Sequence, residues 1–239
     1  MLFLEHVPSR SLVPPVSSEV CVDIPESPMG EASPSSIAIA SYLRGVGFGC
    51  VLPHVRVCDL NRLALLSAVK AARAIGVWGL LITYGDPPVI GSCTGAFASS
   101  IEAIEFVRET TSSPPRLGAV LSLRYQLPEV FARLRSPADF FLVLRLGEGT
   151  WDKFVRVAEE ASALGKTLIP YVIVETETNR EVLASLNQPV TRLDELSDWV
   201  GRVCRVVDNV LLSLPEASQA EVIEAVETAK ARCFCTQKR

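Results

Sequence analysis

Eight short apolar runs alternate along the chain with longer amphipathic segments, and this alternation constrains the fold more than any other feature. A strand buried on both faces is a continuous apolar run, and strands that alternate with helices form a parallel sheet. The predicted strands cover residues 2–7, 20–24, 51–57, 79–84, 117–123, 140–145, 167–174 and 207–212. The predicted helices cover residues 36–43, 60–75, 97–109, 128–134, 150–163, 179–186, 193–203 and 216–232.

Eight parallel strands predict closure into a (β/α)8 TIM barrel. The segment between the first two strands contains Pro14-Pro15 and is too short for a crossover helix with its loops, so the barrel is expected to lack its first helix. An open, doubly wound sheet is the alternative. The 239 residues match the usual size of one barrel, which predicts a single domain over residues 1–239 with 233–239 as a frayed tail.

The charge pattern limits the classes of partner. The net charge is −4 and no basic run is present, whereas nucleic acids and anionic membranes are bound by clustered Lys and Arg. We therefore expect neither as a partner. No apolar run approaches the ~20 residues of a membrane span, and residues 1–6 lack the basic start of a signal peptide. The expected compartment is the cytoplasm.

Cysteine and histidine give little support for a metal site. The seven Cys are scattered without a CxxC pair, which predicts neither a zinc site nor a disulfide framework. Cys233-Phe234-Cys235 could oxidise or bind a metal, but an inert tail is preferred. Only His6 and His54 are present, so a His-rich metal site and a Ser-His-Asp arrangement are both difficult to assemble.

Candidate functional residues stand where the predicted strands end, because barrels carry their chemistry at the carboxyl ends of the strands. Polar residues at these positions are Glu5, Asp23, Asp59, Asp86, Arg124, Tyr125, Arg145, Glu175 and Ser213. For Asp23 and Asp59 we prefer a role as helix caps, and Asp86 is equally consistent with a turn residue. His54, inside an apolar strand, is expected to be a core or cofactor-contact residue rather than a titrating catalyst.

Several of these residues together resemble the methylenetetrahydrofolate reductase family, flavoproteins with a (β/α)8 barrel. The matching pieces are Glu5 with Pro8, Pro53-His54, the run Asp59-Leu60-Asn61-Arg62, and Tyr84-Gly85-Asp86-Pro87-Pro88. The spacing agrees from about residue 51 to residue 106. Each piece is short, and the resemblance depends on their combination.

The resemblance implies a flavin-dependent reductase of one-carbon metabolism that converts a methylene-tetrahydropterin to the methyl form. Glu5 would be the general acid, and Asp86 would lie near the flavin and the pterin. The implied cofactor is FAD, with NADH or NADPH as the source of hydride. The implied FAD contacts are His54, Tyr84, Gly85, Asp86, Phe97 and Ala98.

The second half of the chain departs from that family's pattern. Val143-Leu144 stands where the family has Thr-Gln, and Pro170-Tyr171-Val172-Ile173-Val174 and Ser122-Leu123-Arg124 also differ from it. An apolar replacement for an amide leaves a pterin group unpaired, at a cost of ~1–3 kcal/mol. The alternative is therefore a non-catalytic or accessory barrel that acts through a protein partner, either an accessory subunit or a second copy in a homo-oligomer.

Overall fold

A computed structural model describes residues 1–7, 11–184 and 186–233. Its strands are β1 Leu2–Glu5, β2 Cys21–Ile24, β3 Val51–Arg56, β4 Leu80–Thr83, β5 Leu117–Ser122, β6 Phe140–Leu144, β7 Thr167–Glu175, β8 Thr191–Arg192 and β9 Val210–Ser213. Its helices are α1 Ser36–Gly45, α2 Arg62–Ile75, α3 Ser100–Thr110, α4 Leu127–Leu134, α5 Trp151–Ala163, α6 Arg180–Ala184, α7 Leu196–Val203 and α8 Gln219–Cys233.

Eight of the strands form a closed parallel barrel. Strands β1 to β7 pair in sequence order, β7 pairs with β9, and β9 pairs with β1, which closes the ring. The two-residue β8 pairs with β7 outside the ring and was not predicted. Helices connect successive strands from β2 onward, so the predicted (β/α)8 barrel is confirmed and the open sheet is excluded.

The prediction that the first helix is missing is also confirmed for the part of the loop that the structure describes. Between β1 and β2, residues 6, 7 and 11–20 contain turns and bends and no helix. The other connections carry helices, and the one between β7 and β9 carries two, α6 and α7. The predicted tail falls mainly on residues 234–239, which lie outside the described residues, while Cys233 ends α8.

The amino end of the barrel is closed by an aromatic cluster. The Trp78 ring lies 5.1 Å from the ring centroids of both Phe3 and Phe140, in edge-on geometry. The Arg116 guanidinium covers the outer side of this plug, 4.2 Å from the Trp78 ring. Apolar side chains therefore fill the barrel interior at this end.

Gly118 is required by the packing of this plug, which gives a stability prediction. Gly118 pairs with Phe140 in the sheet, and a Cβ on Gly118 would lie 2.1 Å from a Phe140 ring atom. We expect Gly118→Ala to lower the free energy of unfolding by about 1–3 kcal/mol through overpacking, measured by urea denaturation. Gly149→Ala is the control, since a Cβ there meets nothing within 4 Å. Equal unfolding midpoints for the two variants would contradict this account.

The expectation of no disulfides is wrong. Three disulfides join Cys21 to Cys50, Cys58 to Cys93, and Cys204 to Cys233. The first pair is distant in sequence but adjacent in space, because β2 and β3 pair with Val22 opposite Val51. Sequence spacing could not indicate this, since the contact depends on the register of two strands.

No helix in the described part of the chain has the length and apolarity that crossing a membrane requires.

Candidate active site

Five polar side chains share the inner face of the barrel at its carboxyl end: Glu5, Asp23, His54, Tyr171 and Ser213. Each lies two residues beyond an inner-core residue of its own strand, namely Phe3, Cys21, Leu52, Ile169 and Leu211. Successive side chains of a strand point to opposite faces, so residues two apart point the same way. Along each of these strands the inward-facing side chains therefore change from apolar to polar toward the carboxyl end. We call this polar end of the barrel interior, lined by the five side chains, the mouth.

His54 and Asp23 form a buried ion pair in this mouth. His54 Nε2 lies 2.7 Å from Asp23 Oδ1, and the two residues are 7% and 0% exposed. Burial alone would lower the pKa of His54, but the charge and hydrogen bond of Asp23, with smaller contributions from Glu5 and Glu26, outweigh it and raise this pKa above 6.5. The imidazole is therefore held in its charged form beyond its ordinary range.

Glu5, Ser213 and Tyr171 form a hydrogen-bonded chain on the neighbouring strands. The Tyr171 hydroxyl donates to Ser213 Oγ at 2.9 Å, and Ser213 Oγ donates to Glu5 Oε2 at 2.5 Å. Burial, reinforced by the charge of Asp23, raises the pKa of Glu5 despite the bond from Ser213. Burial and the nearby Glu5 raise the pKa of Tyr171 well above 10.0. Tyr171 is therefore a neutral donor at physiological pH.

Glu5 and His54 differ in their capacity to donate and accept protons, as general acid–base catalysis requires. A carboxyl group with a raised pKa can hold a proton and donate it, while the imidazole beside a carboxylate can give up a proton and take it back. Glu5 and Asp23 are opposite each other in the β1–β2 register, so both groups face one mouth. The arrangement can protonate one atom of a bound molecule and accept a proton from another.

The two histidines are expected to titrate on opposite sides of the ordinary value of 6.5. His54 has a raised pKa, whereas burial lowers the pKa of His6. The contribution of His54 to stability is therefore complete below pH 6.5 and is lost as the pH rises through its folded-state pKa. Proton NMR of the two ring Hε1 signals, followed through a pH titration, measures both values. Two midpoints on the same side of 6.5 would contradict the environments described.

The other predicted site residues do not join this cluster. Asp86 is exposed and accepts a hydrogen bond from the Met29 amide at 3.1 Å. Phe97 is 4% exposed and packs against Phe106, with 5.5 Å between ring centroids. Tyr84 is 40% exposed, and the Ala98 amide donates to Glu102 Oε2. Of the residues that the resemblance singled out, only Glu5 and His54 come together, and the strand-end residues Asp23 and Ser213 lie with them. The roles assigned to the whole set stay predictions.

The sequence interpretation listed Asp23 and Ser213 as strand-end residues but did not pair them with His54 and Glu5, and it missed Tyr171. Asp23 pairs with His54 rather than capping α1, which begins after Ser35, and Asp59 pairs with Arg56 while Asn61 caps α2. Tyr171 was not singled out, because it lies inside the strand, four residues before the polar strand-end residue Glu175. The signal that could have found it is the two-residue spacing from the inner core.

Comparisons with known proteins do not identify a family. No protein-family model matches the chain, and no curated protein matches it. Among solved structures, the chain is similar to the crystal structure of a thermostable aldo-keto reductase in complex with the inhibitor epalrestat. The identity is 15%, the TM-score is 0.42, and the match covers 89% of this chain and 81% of that chain. A likeness at this level carries no statement about function.

The resemblance to the methylenetetrahydrofolate reductase family is therefore wrong, since no comparison finds that family. Its component motifs have local structural explanations. The Asn61 side chain accepts from the Ala64 amide as a helix cap, and Gly85 takes a backbone φ of +93°, a conformation that favours glycine in any turn. Short caps and turns recur in unrelated proteins, and with the resemblance the support for FAD and for a pterin is lost.

Proposed function

We propose that this barrel is an enzyme that transfers protons to and from a small polar substrate bound at the carboxyl end of the strands. The observation that carries the proposal is the pairing of two hydrogen-bonded units in one mouth, His54 with Asp23 and Glu5 with Ser213 and Tyr171. Burying titratable groups costs stability, and buried groups with shifted pKa values concentrate at functional sites.

In the proposed mechanism a carbonyl compound enters the mouth with its oxygen toward Glu5. The protonated Glu5 carboxyl donates to that oxygen, and Ser213 and Tyr171 keep the carboxyl oriented through their chain of hydrogen bonds. His54, after losing its proton to solvent, removes a proton from the adjacent carbon, and Asp23 stabilises the imidazolium that forms. Each positioned proton-transfer group typically contributes 10²–10⁴-fold.

The test is exchange of carbon-bound hydrogen with solvent. Pyruvate, other small keto acids, hydroxyketones and aldehydes are incubated with the protein in deuterium oxide, and loss of the signal of the hydrogen next to the carbonyl is followed by proton NMR. We expect catalysed exchange for at least one class, and none with a Glu5→Gln/His54→Gln double variant. No exchange above background with any class would contradict the proposal and would favour the accessory barrel that acts through a protein partner or a second copy.

A second candidate is reduction of a carbonyl compound with NADH or NADPH as the hydride donor. The raised pKa of Glu5 favours it, because a hydride acceptor needs a proton on its oxygen and a protonated carboxyl supplies one. The nicotinamide would supply the hydride, while this chain's residues orient the carbonyl and donate the proton. Oxidation of added NADH or NADPH in the presence of the same compounds, followed by its absorbance, distinguishes this reaction from simple proton exchange. A cytoplasmic location stays a prediction.

A further inference from the structure

Arg56 is a buried cation at the carboxyl end of β3 whose hydrogen-bonding capacity is not fully used. The residue is 3% exposed and lies two positions beyond His54, on the same inner face. Its Nε donates to Asp59 Oδ2 at 2.5 Å, and its Nη2 lies 3.4 Å from Cys58 Sγ. Its Nη1 is buried and has no hydrogen-bond partner among the described residues. A buried donor without a partner costs stability and therefore points to a missing acceptor.

The charge of Arg56 is also incompletely neutralised. The Arg56 side chain is 2% exposed, whereas that of its partner Asp59 is 46% exposed. Water screens an exposed carboxylate, so Asp59 stabilises the guanidinium less than a buried partner would. A second negative charge next to Nη1 would therefore be bound favourably.

The guanidinium is held in place by the loop that follows β4. A Cβ on Gly85 would lie 2.6 Å from Arg56 Cγ and 2.9 Å from Cδ, so only glycine allows this loop to approach the arginine so closely. The chain after Gly85 is tied back to the end of β3 by the disulfide between Cys58 and Cys93. The arginine is therefore preorganised, and its side chain loses little conformational freedom when a ligand binds.

A complementary unpaired atom lies on the neighbouring strand. Asp23 Oδ2 is buried without a hydrogen-bond partner among the described residues, while Asp23 Oδ1 is bound to His54. The inner face of β2 and β3 thus presents one free acceptor and one free cationic donor beside the imidazole. A ligand with a hydrogen-bond donor and an anionic oxygen satisfies both.

From these contacts we infer that Arg56 binds an anionic oxygen of the substrate, as of a carboxylate or a phosphate, and thereby selects anionic carbonyl compounds. This inference rests on the proposed function, because it names the substrate class of the same site. Arg56 fixes one end of the substrate, and the reacting carbonyl lies toward His54 and Glu5. Neutral analogues of the same shape are disfavoured, because they leave the charge of Arg56 without a second anionic partner.

The test uses sodium acetate and inorganic phosphate as probes, with acetamide as the neutral counterpart of acetate. Binding is followed through the backbone amide signal of Gly85, where an added Cβ would lie 2.6 Å from Arg56 Cγ, and this signal remains when the arginine is substituted. We expect a saturable shift with acetate or phosphate and none with acetamide. In Arg56→Gln, binding is expected to weaken by about tenfold or more. Arg135→Gln removes an exposed arginine that pairs with Glu160 outside the site and serves as the matched control, with unchanged binding.

Several outcomes overturn the inference: no saturable shift with either anion, equal binding of acetamide and acetate, or equal anion binding by the wild type and Arg56→Gln. The tighter of the two anions identifies the anionic group. Failure of the proposed function is distinguishable, since anion binding at Arg56 without any hydrogen exchange would reject proton-transfer catalysis and retain this site. Exchange that is equally fast for neutral and anionic carbonyl compounds would retain proton-transfer catalysis and reject the selection of anions by Arg56.

Discussion

Glu5→Gln is expected to lower the rate of catalysed hydrogen exchange by about 10²–10⁴-fold, because the amide cannot donate a carboxyl proton. The same variant should be no less stable than the wild type at neutral pH. Burial raises the pKa of Glu5, so its ionisation in the folded protein carries a cost that glutamine does not have. The glutamine oxygen can still accept the bond from Ser213 Oγ. Initial exchange rates and urea unfolding, measured on the same preparations, check both parts.

The pH dependence separates this effect from a general loss of structure. Wild-type stability is expected to fall as the pH rises from 4.5 through the folded-state pKa of Glu5, because the folded protein binds the proton more tightly. Glu5→Gln should lack this fall. Glu160→Gln, in a pair with Arg135 on the outside of the barrel, is the matched control and should keep both activity and the wild-type pH profile. An active Glu5→Gln variant would show that another group supplies the proton.

The fold could be predicted because its determinants are local in the sequence. Each barrel strand is a short apolar run, and the helices begin at capping residues such as Asn61 and Ser99, whose side chains accept from backbone amides three residues later. Errors concentrate at the ends of elements, where one residue more or less changes little in energy. The pattern of alternation was therefore sufficient to predict closure of the barrel.

The site was only partly predictable, because its contacts join strands that are distant in sequence. Glu5 and Ser213 are 208 residues apart and meet only because β1 and β9 close the ring. Asp23 in isolation has the same local sequence context as a helix cap, and only the pairing of β2 with β3 brings it to His54. The same dependence on strand register explains why the disulfide between Cys21 and Cys50 was missed.

Asp23→Asn is expected to reverse the pH dependence of the His54 contribution to stability. Without the carboxylate, burial becomes the dominant influence on His54 and should bring its pKa below 6.5. The unfolded chain then binds the proton more tightly than the folded protein. The His54 contribution should therefore rise with pH in Asp23→Asn, whereas it falls with pH in the wild type. Below the lowered pKa of His54 the variant buries an uncompensated imidazolium, and we expect a loss of about 3 kcal/mol there.

The removal of Asp23 should act on Glu5 as well. Asp23 raises the pKa of Glu5 by charge repulsion, so both titrations are expected to move to lower pH together in Asp23→Asn. Carbon NMR of the Glu5 carboxyl and the His54 ring follows both groups in one titration. Asp198→Asn breaks an exposed ion pair with Arg232 and is the matched control, with an expected change below about 1 kcal/mol. Independent titrations of Glu5 and His54, unmoved by the loss of Asp23, would show that the two hydrogen-bonded units do not act as one site.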